Sequence, residues 1–166
     1  MRMLAWASGN GDRRATDRVV RLLAPKILDV ARAVVGPRHP DLDDLVQESL
    51  VALVRALPAF EGRSSLPHYA SRIAVRVCIA GRRRSSARRF EEESAGASIA
   101  VDTTGRRPYG ALLRERRRVL VRQLLDTLPE AQGEALALRI CMGLPMEEVA
   151  EITAVPLNTV YSRLRL

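Results

Sequence analysis

Aromatic side chains are scarce: two Phe, three Tyr and one Trp make up 4% of the 166 residues. With 28% charged residues beside so few rings, the composition favours a helical chain built from amphipathic segments, with little or no sheet. Lysine is nearly missing as well. Lys26 is the only one, so arginine supplies the rest of the 27 cations. Cys78 and Cys141 stand far apart and outside any CxxC arrangement, which excludes a sequence-legible zinc site or disulfide framework and leaves both as expected small buried hydrophobes. No apolar run approaches the length of a membrane span, and the amino terminus lacks a charged-then-apolar signal pattern, so the expected location is cytoplasmic, without membrane insertion. His39 and His68 have no carboxylate or cysteine at ligand spacing, and no Gly-rich phosphate loop or nucleophile motif occurs. The expectation is therefore no enzyme, no metal, no cofactor and no small-molecule substrate.

What the chain does have is charge of one sign. Its formal net charge is +8 with a pI near 10.8, which favours a polyanionic partner, because clustered cations release the counterions condensed on phosphates. Guanidinium forks suit both phosphates and guanine edges. A codon preference of a GC-rich genome accounts for part of the arginine bias. The 47% hydrophobic content is enough for a packed core, in one ordinary domain or two small ones.

Periodicity divides the chain. Apolar residues at helical spacing from Val19 to Val34 predict a helix over Arg14 to Val35, stopped by Gly36, Pro37 and Pro40. A second helix is predicted from Leu42 to Leu57, with Asp41 as N-cap, Asp43 and Asp44 at the positive end of its dipole, and Pro58 ending it. After the loop Phe60 to Ser65, a stripe of Leu66, Tyr69, Ile73, Val77 and Ala80 predicts a third helix that becomes intensely basic. Seven arginines and no acid lie between Arg72 and Arg89; the sign then reverses at Glu91-Glu92-Glu93. Ser94 to Pro108 is rich in Ser, Gly, Thr and Ala without periodicity, as a flexible linker would be. Beyond it, helices are predicted over Leu112 to Leu128, Glu130 to Met142, Pro145 to Ile152, and from Pro156 to the end. The helical pattern is still running at Leu166 with no C-cap residue, so the last helix is expected to continue further, the chain being truncated there.

The segment Gly143 to Leu164 reads as a short helix, a tight turn and a second helix. Its exposed side carries Asn158, Thr159, Tyr161, Ser162, Arg163 and Arg165, while Val149, Ala150, Ile152, Val155 and Val160 bury the crossing. That is a helix-turn-helix; the plainer reading is a helical hairpin. On the second predicted helix, Asp44, Gln47 and Glu48 share one polar face, with Leu42, Leu45, Ser49, Leu53 and Leu57 turned to the core. By itself such a face is more often merely solvated.

Leu128-Pro129-Glu130-Ala131-Gln132, Gly143-Leu144-Pro145-Met146-Glu147-Glu148-Val149-Ala150-Glu151-Ile152 and Thr159-Val160-Tyr161-Ser162-Arg163-Leu164 together resemble the carboxy-terminal promoter-reading domain of bacterial RNA polymerase sigma factors of the extracytoplasmic-function type. Independently, Asp41-Leu42-Asp43-Asp44-Leu45-Val46-Gln47-Glu48 and Phe60-Glu61-Gly62-Arg63-Ser64-Ser65-Leu66 resemble that family's amino-terminal helix and loop. The resemblance implies an all-α fold of two small helical domains: a bundle over residues 13–90, a flexible linker over 91–111, and a helix-turn-helix domain over 112–166. It implies a promoter-recognition and promoter-opening subunit. Asp44, Gln47 and Glu48 would dock on the clamp of core RNA polymerase, and the second domain would touch its flap. Ser64, Ser65, His68 and Tyr69 would border a captured base of the minus-ten element, and Arg72, Arg76, Arg82, Arg83 and Arg84 would follow the strand. Phe60 is expected in the core. Asn158, Thr159, Tyr161, Ser162, Arg163 and Arg165 would read the minus-thirty-five element. An anti-sigma protein is a further implied partner. Tyr69, Arg76 and Ala80 stand where the family commonly has tryptophan, asparagine and aspartate, which leaves promoter preference open. The alternative is a self-sufficient helix-turn-helix regulator that binds an operator without polymerase; it gives no role to the acidic face or to the Phe60 to Leu66 loop.

Overall fold

The computed structural model describes residue 7 and residues 11–94 and 119–165, and among these every regular element is helical. Helix α1 (Arg13–Val34) begins at Asp12, whose carboxylate accepts the backbone N–H groups of Arg14 and Ala15 at 2.8 and 3.2 Å. Those are orphan donors of the first turn, so the side chain does what the helix ladder cannot. Its buried stripe of Val19, Leu23, Ile27, Val30 and Val34 faces the next two helices.

Helix α2 (Leu42–Ala56) buries Leu45, Ser49 and Leu53, and Leu57 follows in a 3-10 turn (Leu57–Ala59). Leu42 is half-buried at its entry, so the core side matches the predicted one. The expected N-cap does not form. Asp41 has φ −90° and ψ 18°, outside the extended region that aims a cap carboxylate at the first turn, and its side chain accepts the Ser85 hydroxyl at 2.7 Å instead.

Helix α3 (Leu66–Ser94) carries most of the interior. Its buried set is Leu66, Ala70, Ala74, Val75, Cys78 and Ile79, while Tyr69, Ile73 and Val77 are half-buried and Ala80 is exposed. The predicted stripe is therefore rotated, and Ala80 is corrected to the surface. The cause is close approach through small residues: a Cβ on Gly81 would lie 2.2 Å from Leu45 Cδ2. Residues 91–94, expected to open the linker, continue α3 as helix, and the rest of the expected linker, 95–111, lies outside the described residues, as does the start of the helix expected from Leu112.

The second half opens with helix α4 (residues 119–127), followed by α5 (Glu130–Leu136), which widens into a π-helical turn over Ala137–Cys141. Gly143, at φ 69°, makes the reversal that leads to α6 (Met146–Thr153). Ala154 ends α6 in the left-handed conformation at φ 54°, and α7 (Leu157–Leu164) follows. Val149, Ile152 and Val160 are buried and Ala150 and Val155 half-buried, so the two-helix crossing is packed as expected. This is a helix-turn-helix.

The apolar side chains of both halves join one cluster. Gly133 of α5 sits against α3, where a Cβ would be 3.6 Å from Ile79 Cδ1, and the Arg122 guanidinium lies over Gly36. No helix among the described residues is long and apolar enough to cross a membrane.

Candidate nucleic-acid interface

The loop between α2 and α3 turns at Gly62, whose φ of 73° favours glycine. Beyond it, Ser65 accepts the His68 backbone N–H at 3.3 Å and so starts α3. Phe60 and Tyr69 meet as tilted rings with centroids 4.9 Å apart, and the Tyr69 hydroxyl donates to the Ala56 carbonyl at 3.2 Å. Phe60 is half-buried and packs on the core; Tyr69 is fastened by its ring and its hydroxyl. Together with Gly62, Ser64 and Arg72 they line a cleft of about 210 Å³. Ile152 and Ala154 of the second half line the same cleft.

The basic residues on α3 do not stand free. Arg72 Nε lies 3.0 Å from Glu134 Oε1, and Arg76 Nε lies 3.2 Å from Glu130 and 3.6 Å from Glu134. Glu134 is 1% exposed, and a carboxylate so deep in a protein requires cationic partners. Arg82 donates to both carboxylate oxygens of Asp126, at 3.0 and 2.8 Å, and to the Arg122 carbonyl at 2.8 Å. Arg83 donates to the Leu128 carbonyl, and Ser86 to Asp126 at 3.2 Å. His68 Nε2 lies 3.0 Å from Glu148 Oε1. Arg84 alone of this set turns to the first half, with its guanidinium 2.7 Å from Glu48. Sequence spacing gave no sign of Asp126, Glu130, Glu134 or Glu148 as partners, since each lies 40 or more positions from its cation and no local pattern couples them.

On α2, Asp44, Gln47 and Glu48 are exposed, and Val51 and Arg55 continue the same helical face. Val51 was not singled out by pattern, because an isolated exposed valine is ordinary; at 49% exposure in line with those polar residues it belongs to their surface. On α7, Asn158, Tyr161, Ser162 and Arg165 are exposed, whereas Thr159 and Arg163 are half-buried. The Ser162 hydroxyl donates to the Thr159 carbonyl at 2.9 Å, which leaves its oxygen able to accept.

Cys78 is buried beside Ser49, and burial pushes its thiol up to about 12, with the Ser49 hydrogen bond opposing and Glu48 adding to the shift. It behaves as a small hydrophobe. Among the described residues, no group of three or more His, Cys, Asp or Glu is placed to hold a metal ion.

An all-helical chain that pairs an arginine-rich helix with an open helix-turn-helix is, by class, a DNA-binding protein. Two family models match it in order, Sigma-70 region 2 over residues 19–89 and Sigma-70, region 4 over residues 118–166. The chain is 32% identical to the ECF RNA polymerase sigma-E factor of Salmonella typhimurium, over 93% of this chain and 83% of that one. Its fold is shared by CnrH, solved in complex with the cytosolic domain of CnrY, at TM-score 0.55 and 23% identity, covering 98% of this chain and 88% of that one. It is shared too by the sigma factor RpoE, solved with the anti-sigma factor NepR from Bartonella quintana, at TM-score 0.53 and 24% identity, covering 89% and 88%. The chain belongs to the extracytoplasmic-function family of RNA polymerase sigma factors, regulators of transcription initiation.

Proposed function

We propose that the chain does no bond chemistry of its own and acts through three surfaces, one for polymerase and two for promoter DNA. The polymerase surface is the α2 face of Asp44, Gln47 and Glu48, extended by Val51. Acidic groups there avoid competition from DNA and suit a basic clamp surface on core polymerase. The minus-ten surface is the Phe60 to Tyr69 cleft with Ser64, Ser65 and His68 at its rim and Arg72, Arg76, Arg82, Arg83 and Arg84 along α3. A splayed base needs an apolar floor and hydrogen-bonding edges, and its backbone needs cations. The minus-thirty-five surface is α7, where Asn158, Tyr161, Ser162 and Arg165 enter the groove, with Thr159 and Arg163 flanking them. A working division into residues 13–90 and 112–166 follows from these roles.

One observation carries this reading: an exposed acidic face on α2 occurs in the same chain as a helix-turn-helix whose outer face is open. An operator-binding regulator would use only the latter. CnrH and RpoE were solved with protein partners, and by likeness a protein inhibitor of the anti-sigma kind is proposed for this chain. Run-off transcription with core polymerase tests the whole: promoter-specific transcripts are expected only when the chain is added. Transcripts of equal amount without it would reject the reading.

A further inference from the structure

We propose that the outer face of α1 is a further nucleic-acid surface, one that holds the phosphate backbone of duplex DNA without reading its sequence. Residues 12–32 carry six cations against three acids, whereas residues 41–56, which include the neighbouring α2, carry four acids against one cation. The helical period gathers the cations of α1 into one line: Arg14, Arg18, Arg21, Pro25 and Arg32 fall within about 60° of one another around the axis. All five are exposed, and the buried stripe of α1 lies on the other side. Among the described residues, Arg21 alone of these four arginines meets a carboxylate, that of Asp17, and both side chains of the pair are exposed. A pair so exposed contributes little, so its guanidinium is available to another anion. On α3 the situation is reversed, for Arg72, Arg76, Arg82 and Arg84 each face a carboxylate. Positive charge that the fold leaves uncompensated therefore gathers on α1.

Two features favour DNA over an acidic protein. Protein partners are anchored by apolar or aromatic groups seated in pockets, and this face is the convex ridge of a single helix whose apolar side is already buried; Leu22, exposed at its edge, stands singly. The line is also long and repetitive, with about 6 Å of helix between Arg14 and Arg18 and about 27 Å between Arg14 and Arg32, which suits an extended, repeating anion. No hydroxyl or amide lies along it to meet a base edge, so its contacts are with phosphates, which position a duplex and carry no sequence information. Docking through Asp44, Gln47 and Glu48 uses a different helix and the opposite sign of charge.

The test uses the full chain and a labelled mixed-sequence duplex, titrated by anisotropy over a series of salt concentrations. Arg14→Gln/Arg18→Gln removes two cations from the line, and Arg55→Gln/Arg139→Gln removes two exposed cations from elsewhere. Should the first pair lower the helical circular dichroism, Arg18→Gln/Arg32→Gln replaces it. Two lost phosphate contacts are expected to make the slope of log affinity against log salt shallower by about 2, with binding weakened roughly tenfold at about 0.1 M salt. The control pair should keep the wild-type slope. Arg14→Lys/Arg18→Lys should retain most of the binding, because a phosphate also accepts a point charge. Equal changes with both pairs would reduce the effect to net charge and overturn the surface, as would a wild-type chain that binds no duplex at low salt. Polyglutamate that binds as tightly as the duplex, and is lost with the same pair, overturns the DNA assignment and gives the face to an acidic protein. The readings of α3 and α7 stand apart from these outcomes, since both pairs leave those helices untouched.

Discussion

Arg82 grips Asp126 with a two-pronged contact, Nε to Oδ1 at 3.0 Å and Nη2 to Oδ2 at 2.8 Å, and the two side chains are only 11% and 18% exposed. The pair joins α3 to α4 across 44 positions of sequence. Its geometry needs a planar fork, so lysine is no substitute. Arg82→Ala should lower stability by about 2 kcal/mol, the scale of a charged hydrogen bond lost with its partner left behind, and Arg82→Lys by about half of that. Urea unfolding followed by circular dichroism measures both.

Asp44 and Glu48 are exposed one turn apart on α2. Glu48 also meets Arg84, but that pair is about half-exposed on both sides, and such pairs contribute roughly 0–1 kcal/mol. Reversing both charges should keep the helical circular dichroism while abolishing co-elution with core polymerase. Unchanged co-elution would remove α2 from the docking surface.

On α7 the two arginines differ. Arg165 is exposed and Arg163 half-buried. Arg163→Ala is expected to cost about 1–3 kcal/mol of specific duplex affinity if its guanidinium reads a base edge. Equal weakening on all sequences, with a shallower salt slope, would make it a phosphate contact.

Gly81 marks where α3 passes α2. A methyl there collides with buried Leu45, and overpacking of that kind costs about 1–3 kcal/mol. Helix propensity returns about 1 kcal/mol. Gly81→Ala should therefore lower the thermal midpoint slightly, and Gly81→Val should lower it much more, as calorimetry would show.

Cys78 gives a pH dependence. Its thiol is raised from 9.0 to about 12 in the folded chain, so between those values the unfolded chain has lost a proton that the folded chain keeps. Stability from this group is complete below pH 9 and declines as pH rises toward 12. Cys78→Ala should flatten that decline in urea titrations between pH 8 and 10; an equal slope in both proteins would assign it to other groups.

The elements were legible because helical periodicity is local. Leu45, Ser49, Leu53 and Leu57 announce the inner side of α2 by spacing alone, and Val149, Ile152 and Val160 announce the helix-turn-helix crossing. Gly62 and Gly143 announce the turns that need positive φ. The linear signal failed where a neighbour decided the outcome. Ala80 continues the apolar stripe of α3 yet faces out, because α3 turns buried Gly81 to a close approach on Leu45. Asp41 has the composition of a cap and not its dihedral angles, since Ser85 of α3 claims its carboxylate.

Sequence by itself determined the helices, the inner faces of α1, α2 and the helix-turn-helix, the arginine run and the family, all of which depend on residues within a few turns of one another or on motifs in order. Tertiary structure alone decided what the arginines touch. Arg72 and Glu134 lie 62 positions apart, and no periodicity or propensity links them. Their meeting depends on α5 packing against α3 beside Ile79, a contact of shape that brings a carboxylate to 1% exposure beside two guanidiniums. Charge at long range falls off and is screened within about 10 Å, so a run of arginines in a sequence states only that anions are wanted. Which anions hold them is settled by packing.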